Sequence, residues 1–191
     1  MLNKPETAKS PILELVARLK SRHLDPTTAC ELVRDAGINE ADLYPWAKFG
    51  HDPHDSYGRG VVYDGDGIEV MVATWEPSDM STIHNHGHLQ WGAVQVFGRI
   101  EHAVFEYEGT HLSTVNREFL PGGTILEVNN ALYHQMGSAD SRPFLTLHVY
   151  GSNTTSAGVT HDAEIVDLYA HSVLLSKIGR ASCRERVCLA V

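Results

Sequence analysis

The chain has 191 residues, of which 42% are hydrophobic and 20% charged, so it is long enough to form one domain with a sizeable core. Its formal net charge of −9 argues against nucleic-acid backbones and anionic membrane surfaces as partners, and we expect a small ligand instead. No apolar run reaches membrane-spanning length and the first residues lack the apolar core of a signal peptide, which favours the cytoplasm.

The N-terminal part, about 1–48, has helical patterns. Residues 10–24 carry apolar side chains at helical spacing and predict an amphipathic helix. Asp25 and Pro26 have the character of an N-cap and a first helical turn, and Gly37 would end this second helix. Asn39 could start a third helix. We expect these helices to pack on the outside of the main body.

From about Gly60 the sequence changes to short β-rich runs, separated by turns such as 64–67 and 121–123. The runs are 61–63, 68–75, 91–97, 100–107, 112–119, 123–128, 134–137, 144–150 and 164–169. Many short strands with regular turn signals predict a mainly β sandwich or barrel. We therefore expect a single domain over 1–176, with the helices at about 1–48 and the barrel at about 56–170.

The last residues, 177–191, resemble the translation of a common sequencing adapter, and we exclude them as a non-native tail. The alternative is a genuine basic tail. Without this segment Cys30 is the only cysteine, which rules out an internal disulfide and fits a reducing compartment.

A metal site is suggested by His84 and His86. If their segment is extended, residues two apart point to the same face, and two neighbouring imidazoles are half of a metal site. The alternative is a pair of surface histidines, which is plausible in a chain with 12 histidines. Asn85 would face away from the metal. Four other histidines lack such a context, and we expect them to be solvated or at best in contact with a residue that binds the metal. They are His51, His54, His88 and His102.

The β-rich region resembles the cupin superfamily, in which two motifs supply metal ligands. The residues that carry the resemblance are His84, His86, Gly98, Pro121, Gly122, Gly123 and His134. It implies a cupin-type double-stranded β-helix (jelly-roll barrel) with N-terminal α-helices packed outside. It also implies a metal held by His84, His86 and His134, because Trp91 occupies the position of the carboxylate ligand of the first motif.

A more specific resemblance is to cysteine dioxygenase, a thiol dioxygenase of the cupin superfamily. It covers about half of the chain, in the segments Tyr57-Gly-Arg59, 64–67, Trp75, 81–86, Phe97-Gly98 and 147–150. Members of this family hold Fe(II) with three histidines and add both atoms of O2 to the sulfur of cysteine, giving a sulfinate. The partners implied are therefore a small thiol and O2, for a monomer or a small homo-oligomer.

The resemblance also implies roles for individual residues. Arg59 would pair with the substrate carboxylate, a task that suits the guanidinium fork, and Tyr57 would line the same pocket. Trp91 would lie near the metal, exclude water and reshape the pocket, and it takes the place of the cysteine that crosslinks to tyrosine in animal members. The catalytic residues would be a relay of Thr146, His148 and Tyr150, in which threonine replaces serine.

Other interpretations are compatible with the same residues. Arg59 could be a surface ion-pairing residue, Tyr150 and Trp75 ordinary core aromatics, and His148 a hydrogen-bonded buried histidine. The chain could be a cupin dioxygenase or isomerase that uses another metal or another thiol, such as 3-mercaptopropionate. It could also be a non-catalytic cupin that binds a small acid.

Overall fold

The structure, a computed structural model, describes residues 10–20, 23–108, 111–130, 133–154, 159–160, 162–167 and 172–175. The expected adapter-derived tail, 177–191, lies outside these residues. So do residues 168–169 of the last predicted strand. Within the described ranges, no helix is both long and apolar enough to cross a membrane.

Two α-helices begin the described chain, as predicted. Helix α1 is shorter than expected: it spans Pro11–Leu19 rather than extending to Leu24, and its inward stripe includes Ile12 and Leu15. Leu24 is still buried, but it reaches the core from the connection that leads to the next helix.

Helix α2 spans Pro26–Asp35 and begins as its sequence predicts. The Asp25 carboxylate accepts a hydrogen bond from the backbone N–H of Thr28 at 2.9 Å, which satisfies one of the free donors of the first turn. Gly37 follows the helix with φ +59°, a conformation that glycine adopts without strain. The expected third helix is a 3-10 helix, Glu40–Trp46.

Eleven strands are present among the described residues, and they form two antiparallel sheets. They are β1 (Gly58–Gly65), β2 (Ile68–Trp75), β3 (Ile83–His84), β4 (Trp91–Val96), β5 (Ile100–Glu108), β6 (His111–Leu120), β7 (Ile125–Val128), β8 (Tyr133–Ser138), β9 (Phe144–Gly151), β10 (Glu164–Asp167) and β11 (Ser172–Leu175). The five-stranded sheet has the order β1-β2-β9-β4-β7, and the six-stranded sheet has the order β11-β10-β3-β8-β5-β6. The predicted mainly β fold is confirmed, and β3 and β11 are the strands that the sequence did not predict.

The five-stranded sheet is buried on both faces along its central strands, β2, β9 and β4. On its outer face, Val70, Leu147 and Trp91 join the core formed with α1 and α2, so the helices cover this face as predicted. On its inner face, Met71 and Val94 pack with Ile100 and Met136 of the six-stranded sheet. The alternation along β2, β9 and β4 therefore sends every second side chain into the space between the two sheets.

Candidate metal centre

Three of the predicted site residues converge in the space between the sheets. His84 of β3 lies directly opposite His134 of β8 in the register of the six-stranded sheet, and His86 follows β3 by two residues. The ring centroids are 4.8 Å apart for His84 and His134, 4.8 Å for His86 and His134, and 5.1 Å for His84 and His86. One nitrogen from each ring lies within 4.8 Å of the others, so this cluster could hold a metal ion.

The hydrogen bonds of this cluster leave at least one nitrogen of each ring available to a metal. The Nδ1 atom of His84 is 2.9 Å from the Thr82 carbonyl oxygen, which fixes the proton there and leaves Nε2 for a ligand. Three buried nitrogen atoms have no hydrogen-bond partner among the described residues: Nδ1 and Nε2 of His86, and Nε2 of His134. Buried polar atoms are normally satisfied, and a cation between the rings would satisfy one nitrogen of His86 and the Nε2 of His134.

Burial also keeps the three imidazoles in the protonation state that binds metal. Removal from water lowers the pKa of His84, and it lowers the pKa of His86 and His134 well below the usual value. Repulsion between the neighbouring rings acts in the same direction for His86 and His134. At neutral pH the cluster therefore offers uncharged lone pairs, which are the form that ligates divalent ions.

The loop that carries His86 is fixed to β10. The side-chain oxygen of Asn85 accepts hydrogen bonds from the backbone N–H groups of Gly87 and Glu164, and its amide donates to the Glu164 carboxylate at 3.0 Å. Tyr133 also donates a hydrogen bond to that carboxylate. Asn85 therefore has a structural role in this loop, and its side chain points to β10, as expected for a residue that faces away from the cluster.

The predicted relay is an unbroken line of hydrogen bonds along the inner face of β9. Thr146 Oγ1 is 2.7 Å from His148 Nε2, and His148 Nδ1 is 2.7 Å from the Tyr150 hydroxyl. Trp75 extends the line, because its indole N–H donates to Thr146 Oγ1 at 2.9 Å. Trp75 is thus both a buried core aromatic, as one interpretation held, and a partner of the relay.

This line ends beside the histidine cluster. The Tyr150 ring centroid lies 5.0 Å from that of His86. Burial raises the pKa of Tyr150 well above its usual value, with further contributions from Tyr57 and Glu69. Burial lowers the pKa of His148 to about 3, with smaller effects from His84 and Arg59. Both groups are therefore uncharged at neutral pH.

Arg59 has a partner that the sequence did not indicate. Its Nη2 atom is 2.5 Å from Glu69 Oε1, and Glu69 is only 3% exposed. Glu69 Oε2 accepts a hydrogen bond from Thr160 at 3.1 Å. Glu69 lies directly opposite Tyr150 in the pairing of β2 with β9, so the ion pair lies beside the relay. The burial of Glu69 did have a signal in the sequence, since it is the only charged residue in the mainly apolar strand 68–75.

The other two residues predicted to bind substrate are placed differently from one another. Tyr57 packs against the inner core, with its ring centroid 4.9 Å from that of Trp75. Trp91 lies in the core on the helix side, where its indole N–H donates to Asn153. The prediction that Trp91 lies near the metal is therefore wrong. The inward position beside the relay is that of Gly92, where a Cβ would lie 2.9 Å from Tyr150 Cδ1.

The remaining histidines also differ from one another. His102 is buried, and its Nε2 lies 3.1 Å from Nδ1 of His134, so it contacts a residue of the cluster directly. His51 forms an ion pair with Asp79 away from the cluster, and His88 is an exposed residue beside Asp162. The sequence held a signal for the burial of His102, because it lies two residues after the inward-facing Ile100 on the same strand.

Comparisons with known proteins concern the fold. No family model matches the chain. A conserved protein with a double-stranded β-helix domain from Klebsiella pneumoniae is 18% identical, covers 59% of this chain and 88% of its own length, and has a TM-score of 0.47. A cupin 2 conserved barrel domain protein from Salinispora arenicola is 16% identical over 52% of this chain and 80% of its own, with a TM-score of 0.41. An oxalate oxidase in complex with glycolate is 14% identical over 56% of this chain and 55% of its own, with a TM-score of 0.44. The mainly β chain, with two antiparallel sheets and few helices, thus has cupin or double-stranded β-helix proteins among its structural neighbours.

Proposed function

We propose that the chain is an iron-dependent thiol dioxygenase that converts a small thiol and O2 to a sulfinate, with L-cysteine as the first candidate substrate. Both oxygen atoms of O2 end on sulfur, so the four-electron oxidation of the thiol to the sulfinic acid balances the reduction of O2. The observation that supports this proposal is the position of the Tyr150 relay against a cluster of three neutral imidazoles.

The composition of the cluster suits a thiolate ligand. His84, His86 and His134 bring no negative charge, and the described part of the chain places no carboxylate within the set. A divalent cation held there would keep its full charge and attract an anion, and a neighbouring cation lowers the pKa of a thiol. Ferrous iron, when bound, would supply coordination positions for the thiolate and the redox chemistry that couples its oxidation to the reduction of O2, while the four electrons come from the sulfur.

The relay allows Tyr150 to act as a hydrogen-bond donor. The indole of Trp75 donates to Thr146, and the Thr146 hydroxyl can donate to His148 Nε2. His148 then carries its proton on Nδ1 and donates it to the Tyr150 oxygen. In this arrangement the phenolic proton of Tyr150 is free to point at the reacting thiol or oxygen beside His86. The raised pKa keeps that proton in place at neutral pH.

Arg59 would hold the carboxylate of a substrate such as cysteine. Its contact with Glu69 is made through Nη2, and a guanidinium carries five N–H donors. Glu69 would hold the guanidinium in one orientation, and its own charge would partly offset that of Arg59. The substrate carboxylate would therefore bind a partly neutralised arginine, with Tyr57 packed nearby against Trp75.

The test is metal retention and oxygen uptake by the iron-loaded protein with cysteine, 3-mercaptopropionate and cysteamine. The wild type should consume one O2 per thiol and release the sulfinate. His134→Ala should lose both iron and oxygen uptake, whereas His111→Ala, at an exposed position of β6, should keep both. Retention of both properties by His134→Ala would contradict the ligand assignment. Iron binding by the wild type without uptake of O2 with any of the three thiols would refute the activity.

A related candidate is a cupin dioxygenase or isomerase that uses a different metal or thiol. The all-imidazole cluster favours it as well, because imidazole is a suitable ligand for Zn, Ni and Cu as well as for Fe. Metal analysis of protein produced without added metal separates the two, since one dominant metal other than iron would support this candidate. Stabilisation by a small acid without oxygen uptake would instead support a non-catalytic cupin that binds such an acid.

A further inference from the structure

We infer that His102 is a positioning residue for the metal centre: it accepts a hydrogen bond from Nδ1 of His134 and so directs Nε2 of His134 to the metal. This inference rests on the metal centre of the proposed function, but not on the reaction that occurs there. It concerns a histidine that lies on a different strand from the three candidate ligands.

The three adjacent strands β3, β8 and β5 place a row of imidazoles on the inner face of the six-stranded sheet. His84 and His134 are paired directly, and His102 is the diagonal neighbour of His134, because its own partner in the register is Met136. The centroids of the His102 and His134 rings are 5.3 Å apart at an interplanar angle of 76°, an edge-on arrangement that aims a nitrogen of one ring at the other. Both side chains are buried.

Metal binding through Nε2 of His134 would determine where each proton of this contact lies. Nδ1 of His134 contacts His102, whereas its Nε2 has no hydrogen-bond partner among the described residues, so Nε2 is the nitrogen available to a metal. A neutral His134 that binds through Nε2 carries its proton on Nδ1, which lies 3.1 Å from Nε2 of His102. His102 would then accept at Nε2 and hold its own proton on Nδ1, a buried atom that has no hydrogen-bond partner among the described residues.

The use of a histidine here has a consequence for the charge of the site. Metal-binding histidines commonly donate their second N–H to a carboxylate or a carbonyl group, and loss of that partner typically lowers metal affinity about 10- to 100-fold. Neutral His102 provides the acceptor without adding a negative charge. The partner of His84 is similarly uncharged, since it is the Thr82 carbonyl. The metal would thus keep the positive charge that favours a thiolate.

Titration of the metal-free protein with Co(II), followed by competition with Zn(II), tests the inference without any measurement of activity. His102→Leu removes the acceptor and should weaken the binding of both ions about 10- to 100-fold. His102→Gln, whose side-chain oxygen reaches about as far as Nε2, should bind within roughly threefold of the wild type. His111→Leu, at an exposed position of the neighbouring strand β6, should bind as the wild type does.

Equal affinity for the His102→Leu variant and the wild type would overturn the inference, whereas failure of the wild type to bind either ion would overturn the metal centre as well. If His102→Leu does not fold, long-range proton–nitrogen correlation spectra of the zinc-loaded wild type decide the question. They should show protons on Nδ1 of both His134 and His102 and none on Nε2 of either ring. A proton on Nε2 of His102 would refute the assignment.

Discussion

The buried carboxylate of Glu69 pairs with Arg59 and so reduces the positive charge that Arg59 offers to a substrate. A carboxylate that is 3% exposed is costly unless it is paired, and Glu69 is bonded to both Arg59 and Thr160. The pair lies beside Tyr150, so the wall near the relay carries both charges rather than a lone guanidinium. A substrate carboxylate would have to share Arg59 with Glu69.

Glu69→Gln should therefore shift the substrate preference of the iron-loaded protein towards acidic thiols. With the negative charge removed, the KM for 3-mercaptopropionate should fall roughly 5- to 10-fold relative to that for cysteamine, which corresponds to about 1 to 1.4 kcal/mol of recovered attraction to Arg59. Oxygen uptake at varied concentrations of the two thiols measures the ratio. Glu106→Gln, at an exposed position of β5, is the control and should leave it unchanged. An unchanged ratio in Glu69→Gln would mean that Arg59 does not bind the substrate carboxylate.

Single residues of β9 were predictable from the sequence because strand alternation is unbroken there. His148 and Tyr150 lie on one strand with Thr146, so their shared face followed from the spacing of two. Trp91 was placed near the metal by the family resemblance alone, and in the structure it packs on the helix side of β4, with Gly92 in the inward position. The partner of Arg59 lies on the neighbouring strand β2, and the sequence of one strand does not show which strand pairs with it.

At the scale of secondary structure, elements with strong local signals were predicted closely. β2 was expected at 68–75 and has those bounds, because Gly67 and the apolar run define its start and length. β3 has only two residues, too few for a pattern, and it exists because β8 and β10 pair with it on either side. The convergence of β3 and β8 on one metal centre was implied by family resemblance and not by any local signal.

The loop after β3 should be sensitive to a single methyl group. Gly87 has φ +58°, and a Cβ there would lie 2.7 Å from backbone atoms of Asp162 and Ala163, so Gly87→Ala must displace the loop that carries His86. Gly37 has nearly the same φ, +59°, with no atom within 4 Å of the added Cβ. Gly37→Ala should thus cost only about 1 to 2 kcal/mol of backbone strain.

Co(II) titration and thermal melting of both variants separate the two effects. Both alanines should lower the melting temperature, but only Gly87→Ala should weaken Co(II) binding, by roughly tenfold or more, since it moves a candidate ligand. Equal Co(II) affinity in Gly87→Ala and Gly37→Ala would show that the loop does not position His86.

At the scale of the whole molecule, the fold encloses a set of uncharged histidines within a chain of net charge −9. Burial lowers the pKa of His84, His86, His102, His134 and His148. The two sheets and the helix layer supply the apolar surroundings, so this effect belongs to the assembled fold and not to any one strand. The resulting neutral interior suits metal binding, but it also makes the metal-free protein sensitive to acid.

The free energy of unfolding of the metal-free protein should fall as the pH drops below about 6.5, the ordinary pKa of histidine. The unfolded chain binds protons at these histidines near pH 6.5, whereas the folded protein binds them only at lower pH, which for His148 is about 3. The unfolded state therefore holds more protons between these values, and each buried imidazole that stays neutral contributes a loss of up to about 1.4 kcal/mol per pH unit. His51 acts in the opposite direction: burial opposes its charge, but hydrogen bonds to the Asp52 carbonyl and to Asp79 raise its pKa.

Urea unfolding at pH 7.5, 6.5, 5.5 and 5.0 in the presence of a chelator measures this dependence. The urea midpoint should decrease steadily over the lower three values, because five histidines of the described residues have a lowered pKa and only His51 among them has a raised one. Substitution of a titrating group tests the cause: His148→Gln should make the decrease shallower, whereas exposed His111→Gln should not alter it. Saturation with Zn(II) should raise the midpoint at pH 7.5 and lose its effect towards pH 5, as protons compete for the same nitrogens. A midpoint in the chelated protein that stays constant or rises on acidification would show that the interior histidines are already charged or accessible to water, and the neutral ligand set would then be refuted.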